Sequence, residues 1–228
     1  MSNVNVNGNI YNNVESIQLM KADGSGYAKY TEGSEAADSM LDTLLSGDSL
    51  GDIQRDDSKP CIEWLSGRTF GTVSFPYATS VNGACERVTA ENILLPNVST
   101  FNAVSTGNNG WRSYGFINCK ITGVLDLSSL DTVLNNATSF KYSVIGTLKL
   151  GSYAPGANIW GSVVVTNLVW YGLTSDRFSN STFQSYFKNA TVTNLYVPAD
   201  LVDTVNEKIT DGTLTKVANV YSIDDWED

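Results

Sequence analysis

The sequence predicts a repeat solenoid, mainly β, and three observations carry that reading. One short apolar phrase recurs six times, as Val73-Ser74-Phe75-Pro76, Ile93-Leu94-Leu95-Pro96, Leu125-Asp126-Leu127-Ser128, Leu148-Lys149-Leu150-Gly151, Leu168-Val169-Trp170-Tyr171 and Leu195-Tyr196-Val197-Pro198. Its starts lie 20, 32, 23, 20 and 27 residues apart. Recurrence at that scale marks an array in which no unit buries its apolar face alone and each stacks on the next. The continuation after the strand also repeats. Phe75-Pro76-Tyr77-Ala78-Thr79-Ser80-Val81 matches Leu95-Pro96-Asn97-Val98-Ser99-Thr100-Phe101 in the order apolar, Pro, any, apolar, two hydroxyl residues, apolar. Thirdly, an aromatic with a small side chain three residues on precedes several strands. It occurs in Phe116-Ile117-Asn118-Cys119, Phe140-Lys141-Tyr142-Ser143, Trp160-Gly161-Ser162-Val163 and Phe187-Lys188-Asn189-Ala190. That spacing suits a short helical turn packed into the interior.

The elements follow in chain order. Val4-Asn5-Val6, the turn signal Asn7-Gly8 and Ile10-Tyr11 predict a β-hairpin. The run Val14 to Leu19, then Asp23-Gly24 and Tyr27 to Tyr30, predicts a second. Ala37, Met40, Leu41, Leu44 and Leu45 stand at i, i+3, i+4, i+7 and i+8. They predict a helix over about 34–46, with Ser34 to start it and Gly47 to end it. Residues 48–59 have loop composition, so residues 1–60 form an amino-terminal hairpin and helix region for attachment and 61–228 form the solenoid. Within each repeat, strand alternation turns Val73/Phe75, Ile93/Leu95, Leu125/Leu127, Leu148/Leu150, Leu168/Trp170 and Leu195/Val197 inward. The same alternation sets Ser74, Leu94, Asp126, Lys149, Val169 and Tyr196 outward in a row, the candidate binding face. Trp111, beside Asn108-Asn109-Gly110, and Trp226 in the tail are further candidates for exposed contact. After Pro198, the stripe Leu201, Val202, Val205, Ile209 predicts a short helix over 199–209 that caps the last repeat.

Composition narrows the function. A hydrophobic fraction of 42% with 17% charged residues describes a folded chain. Fourteen basic side chains against 24 acidic give a net charge of −10, which argues against nucleic acid or an anionic membrane as partner. No basic and apolar leader opens the sequence and no run of about 18 apolar residues occurs, so neither a secretory signal nor a membrane helix is expected. Cys61, Cys85 and Cys119 are odd in number and sit in no C-x-x-C pair, which fits a reduced compartment.

The strand phrases and Gly115-Phe116-Ile117-Asn118-Cys119 resemble the leucine-rich repeats of bacterial surface proteins typified by BspA, over about residues 69–210. Leu195-Tyr196-Val197-Pro198-Ala199-Asp200-Leu201-Val202-Asp203 resembles how such arrays close. The resemblance implies a leucine-rich-repeat-like solenoid with short parallel strands along one face and a role in adhesion or recognition. The array, behind its small β-rich amino-terminal piece, also resembles structural proteins of tailed phages that infect gut bacteria.

Histidine is absent, which removes Ser-His-Asp and Cys-His catalysis and histidine metal sites. Cys119 falls at the small buried position of a repeat, where packing is the expected role. The acids Asp126 with Asp131, or Glu86 with Glu91, are the nearest thing to a hydrolytic carboxylate pair. Asp48, Asp52, Asp56 and Asp57 do not fit a calcium loop. Asn-x-Ser/Thr triplets begin at Asn97, Asn136, Asn180 and Asn189, at the frequency such a composition produces by chance. The expectation is therefore a non-enzymatic chain without cofactor or metal. It is expected to be a phage virion component of the capsid decoration or tail/baseplate type, assembled in a bacterial cytoplasm and present in several copies. Its expected partners are other virion proteins and itself, with a host surface glycan or protein as a further one. The alternatives are a polysaccharide depolymerase using a carboxylate pair and a host-encoded recognition module.

Overall fold

The computed structural model describes residues 65–81, 85–101, 115–131, 140–152, 161–175, 187 and 189–227 in full. It describes residues 2–6, 9–14, 16–20, 27–31, 53–55, 82, 84 and 102 by strand course alone. The expected helix over 34–46, the acids Asp48, Asp52, Asp56 and Asp57, Cys61, Trp111 and Trp160 lie outside these residues.

Two antiparallel hairpins open the chain, β1 (Ser2–Val6) with β2 (Asn9–Val14) and β3 (Ser16–Met20) with β4 (Tyr27–Thr31). A strand, β5 (Ile53–Arg55), lies inside the stretch with loop composition. It pairs antiparallel with β1 and parallel with β6 (Thr69–Ser74), which joins the first hairpin to the main sheet.

From β6 onward the chain winds as a β-solenoid of about five turns. Its strands are β7 (Ser80–Asn82), β8 (Ala84–Glu86), β9 (Thr89–Leu94), β10 (Thr100–Asn102), β11 (Gly115–Ile117), β12 (Lys120–Leu127), β13 (Val144–Leu150), β14 (Val164–Trp170), β15 (Thr191–Val197) and β16 (Val217–Ser222). One long ladder runs β6-β9-β12-β13-β14-β15-β16, every neighbour parallel. Two shorter parallel pairs, β7 with β10 and β8 with β11, make the other faces of the first coils.

Local chemistry sets the corners. At the strand's end, Ala78 N–H bonds Phe75 O at 3.2 Å, Val98 N–H bonds Leu95 O at 3.1 Å and Leu130 N–H bonds Leu127 O at 3.0 Å. The Pro that follows Phe75 and Leu95 cannot donate to a ladder and so suits the first residue of this turn. The opposite corner is a left-handed residue two positions before β6, β9, β12, β13 and β14: Gly67 (φ 74°), Arg87 (56°), Asn118 (55°), Tyr142 (60°) and Ser162 (62°). Backbone bonds tie these corners together, from Gly67 N–H to Glu86 O (2.7 Å), Arg87 N–H to Ile117 O (2.8 Å) and Asn118 N–H to Lys141 O (2.9 Å). The cost of a side chain at positive φ, roughly 1–2 kcal/mol, is offset by this stacking. The aromatic-and-small phrase thus builds something other than the expected helical turn at Phe116 and Phe140. Phe116 lies in β11, and Phe140 enters a tight turn closed by Ser143 N–H to Phe140 O at 3.2 Å. A left-handed residue between the aromatic and the strand ends the turn before a helix can propagate.

The interior is apolar. All twelve inward residues of the strand phrase are at most 1% exposed and belong to one cluster. Phe116, Phe140 and Phe187 join them. Burying such a side chain contributes about 1.5–3 kcal/mol, so the cluster is the main source of stability.

After β15 a short 3-10 turn (Ala199–Leu201) leads into α1 (Val202–Thr210), as the apolar stripe predicts. Leu201 and Val205 are buried, and Val202 and Ile209 pack on the core half-buried. The helix does not end the array, however. The chain continues into β16, which adds one more parallel strand beside β15.

Candidate functional site

The outward row is a register row. Ser74 pairs with Leu94, Leu94 with Asp126, Asp126 with Lys149, Lys149 with Val169 and Val169 with Tyr196. Strand pairing therefore sets the six predicted residues side by side, although 20 to 32 residues separate them along the chain. Five of the six are half-buried. Val169 departs from the expectation of an outward, accessible position. It is 0% exposed yet lies outside the core cluster, a short side chain between the longer Lys149 and Tyr196 on the adjacent strands. The row is thus divided into a mixed part, Ser74, Leu94, Asp126 and Lys149, and an aromatic part beginning at Tyr196.

The row is also longer than the phrase indicates, because Tyr196 pairs with Tyr221 of β16. The two rings stack with centroids 5.3 Å apart at 30°. Trp226 closes on Tyr196 edge-on, 4.9 Å away at 74°. What brings Trp226 there is a 3-10 turn, Ile223–Asp225. Ser222 Oγ caps it by accepting from Asp224 N–H at 3.1 Å, and Trp226 N–H donates to Ile223 O at 2.9 Å. Tyr221 is exposed and Trp226 half-buried. Offset and edge-on aromatic pairs are the favoured geometries, each adding about 0.5–1.5 kcal/mol beyond burial. Tyr221 went unnoticed in the sequence, yet Val217-Ala218-Asn219-Val220-Tyr221 parallels Val192-Thr193-Asn194-Leu195-Tyr196.

Behind this row lies a second one made of side-chain amides and hydroxyls, also missed. Asn219 donates to Asn194 Oδ1 (3.0 Å), Asn194 to Asn167 Oδ1 (2.9 Å) and Asn167 to Thr147 Oγ1 (3.4 Å). Nearer the start, Asn92 donates to Thr72 Oγ1 at 3.1 Å and accepts Val124 N–H at 2.9 Å. The signal is a Thr or Asn directly before the first apolar residue of the phrase, at Thr72, Asn92, Thr147, Asn167, Asn194 and Asn219. In β12 that place is taken by an irregularity in strand register, and a Cβ on Gly123 would collide with Asn92 Oδ1.

The other candidates are dispersed. Asp126 sits in the outward row and its Oδ1 accepts Ser128 N–H at 3.0 Å, while Asp131 is exposed beyond the turn. Glu86 belongs to β8 and Glu91 to β9. Asn97 and Asn189 are exposed, and Asn97 Nδ2 donates to Pro76 O at 2.6 Å. Cys85 and Cys119 are buried free thiols. Cys119 Sγ donates to the carbonyls of Cys85 (3.3 Å) and Ile117 (3.4 Å), and burial pushes its thiol up to about 11. A thiol held neutral in this way is a packing group and a weak donor. Ser143, fully buried, accepts Cys119 N–H at 2.9 Å and donates to Phe116 O at 3.1 Å. Among the described residues no group of three His, Cys, Asp or Glu is placed to hold a metal ion, and no helix is long and apolar enough to cross a membrane. Comparisons with protein-family models, with curated proteins and with solved structures each return no match.

Proposed function

We propose that the chain is a non-enzymatic structural or recognition protein whose solenoid displays the row from Ser74 to Tyr221 for contact with other molecules. The observation that carries this reading is the row itself. Residues from seven parallel strands are held in register on one sheet face, mixed in chemistry and ending in the Tyr196, Tyr221 and Trp226 cluster. A rigid face of that kind suits recognition by many modest contacts, and display in several copies multiplies them. The absence of histidine from the sequence agrees with a role outside acid–base catalysis.

The repeat phrase supports placing this solenoid near the BspA-type leucine-rich repeats, and its biological setting is then a phage virion, on the capsid or at the tail and baseplate. Such a particle assembles in the bacterial cytoplasm and is released by lysis, which gives an array of this kind a route to a surface. Mass spectrometry of purified particles beside the host's soluble fraction tests that setting. Abundant peptides from the particles support it. Peptides confined to the soluble fraction refute it.

A further inference from the structure

The aromatic end of the outward row has a chemistry of its own. Because β16 is the last strand of the main sheet, Tyr221 stands in the outermost rung, with one ring face against Tyr196 and 41% of the residue exposed. Trp226, folded back by the Ser222-capped turn, forms a wall at 74° to Tyr196. After Lys216, which is exposed at the far end of β16, the charge of the segment is of one sign. From Val217 to the end of the sequence there are four acids, Asp224, Asp225, Glu227 and Asp228, and no Lys or Arg. Asp224, Asp225 and Glu227, the sequence neighbours of Trp226, are exposed. Within the row the nearest cation is Lys149, two rungs from Tyr196, or roughly 10 Å. Lys208 on α1 is engaged by Asp211 at 3.7 Å. An open aromatic face beside several carboxylates attracts a cation, because ring quadrupole and carboxylate charge act in the same direction.

We propose that this corner docks a basic segment of a protein partner, with an arginine guanidinium lying on the open face of Tyr221 and the carboxylates flanking Trp226 as counter-charges. Arginine fits better than lysine because its planar, weakly hydrated group stacks on a ring while its N–H groups reach carboxylates. A neutral sugar would use the ring equally well but gain nothing from the acids. The proposal rests on the reading of the solenoid as a contact surface and names the partner for one end of it.

The test is titration of the full chain with acetyl-Gly-Arg-Gly-Arg-Gly-Arg-Gly-amide, with the same peptide carrying lysine, and with cellohexaose. The readout is the indole N–H resonance of Trp226, assigned with Trp226→Phe. The expected result is a shift with the arginine peptide that weakens as salt rises. The lysine peptide, equal in charge, should bind roughly two- to fivefold more weakly, and Tyr221→Ala should weaken arginine-peptide binding by a similar factor without altering the protein's charge. Equal binding of the two peptides, indifference to Tyr221→Ala, or a shift with cellohexaose at lower concentration than with peptide would each overturn the proposal. The titration reads the free chain, so the virion setting stands or falls by the particle experiment alone.

Discussion

Asn194 donates its side-chain amide to Asn167 at 2.9 Å and accepts the amide of Asn219 at 3.0 Å, and Asn167 in turn donates to Thr147, so Asn194 and Asn167 each both donate and accept in one polar chain across four strands. Every donor in it points from a later coil to an earlier one. That common direction leaves no amide facing another amide of like polarity. Register slippage by one residue would break all three bonds together, so the chain fixes strand alignment as the apolar phrase alone cannot.

Replacing Asn194 by alanine should therefore destabilise the fold by about 1–2 kcal/mol, since it removes two bonds and takes the donor from the Oδ1 of half-buried Asn167, while exposed Asn219 keeps its bond to Thr193 O at 3.3 Å. Chemical denaturation of the variant beside Asn97→Ala, an exposed asparagine with a single bond to Pro76 O, is the check. Equal stability of the two variants would show that the ladder contributes nothing special.

Ser143→Ala should cost a similar amount, about 1–3 kcal/mol, from one hydroxyl. Without it the Cys119 N–H and the Phe116 carbonyl lose their partner in a site from which water is excluded. A melting temperature unchanged from the parent would contradict this assignment.

The Cys119 thiol sets an alkaline limit. Its folded value of about 11 lies above the ordinary 9.0, because burial disfavours the thiolate. The unfolded chain releases this proton first, so the contribution is complete below pH 9, declines as pH rises, and is gone above the folded value. The span corresponds to about 2–3 kcal/mol. Denaturation curves from pH 8 to 11 for the parent and Cys119→Ala should converge by roughly that amount. Parallel curves would refute the linkage.

Gly172 and Gly67 should respond differently to alanine. A Cβ on Gly172 would fall on the backbone of Ser152 in the coil beneath, so Gly172→Ala should cost about 1–3 kcal/mol through overpacking. At Gly67 nothing lies within 4 Å and only the φ of 74° resists a side chain, so the cost should be about 1–2 kcal/mol. A second alanine at Gly151, which would meet Ser128 O at 2.5 Å, should simply add its own cost to Gly67→Ala but depart from additivity with Gly172→Ala, whose N–H bonds Gly151 O at 3.1 Å. Thermal unfolding of the single and double variants decides this.

Ending the chain at Pro198 should expose core rather than trim a tail. Leu201, Val205, Leu214 and Val217 all belong to the buried cluster, and β15 would become an open edge. Aggregation or loss of cooperative unfolding is expected. A soluble truncation with a sharp transition would show that α1 and β16 are dispensable.

The parts of this fold visible in the sequence are those written in the contrast between apolar and polar side chains. Val73 with Phe75, and every later pair of the phrase, announce an inward face because alternation has a period of two. The asparagine row stays hidden, since Asn and Thr have the composition of a surface and only their position, one residue ahead of the phrase, sets them apart. Strand β16 was obscured by Pro198 and the apolar stripe after it, which have the form of an ending. The left-handed corners are harder still to foresee. Arg87 and Tyr142 are poor candidates for positive φ, and only hydrogen bonding to the neighbouring coil holds them there. Of the candidate face, alternation supplied the row and its order. It could not supply the burial of Val169, which depends on the lengths of its two neighbours, or the arrival of Trp226, which depends on a turn built by Ser222.

The seven strands of the long ladder also make a graduated rule. Intervals of 20 to 32 residues between successive phrases change the length of a coil but not its rise, which hydrogen bonding holds near 4.8 Å per strand. Six such steps from Ser74 to Tyr221 span about 29 Å. A molecule lying along the row meets one chemical group at each graduation, however much chain is looped between them. Residues can therefore be added to or removed from the intervening segments while the spacing along the row stays constant.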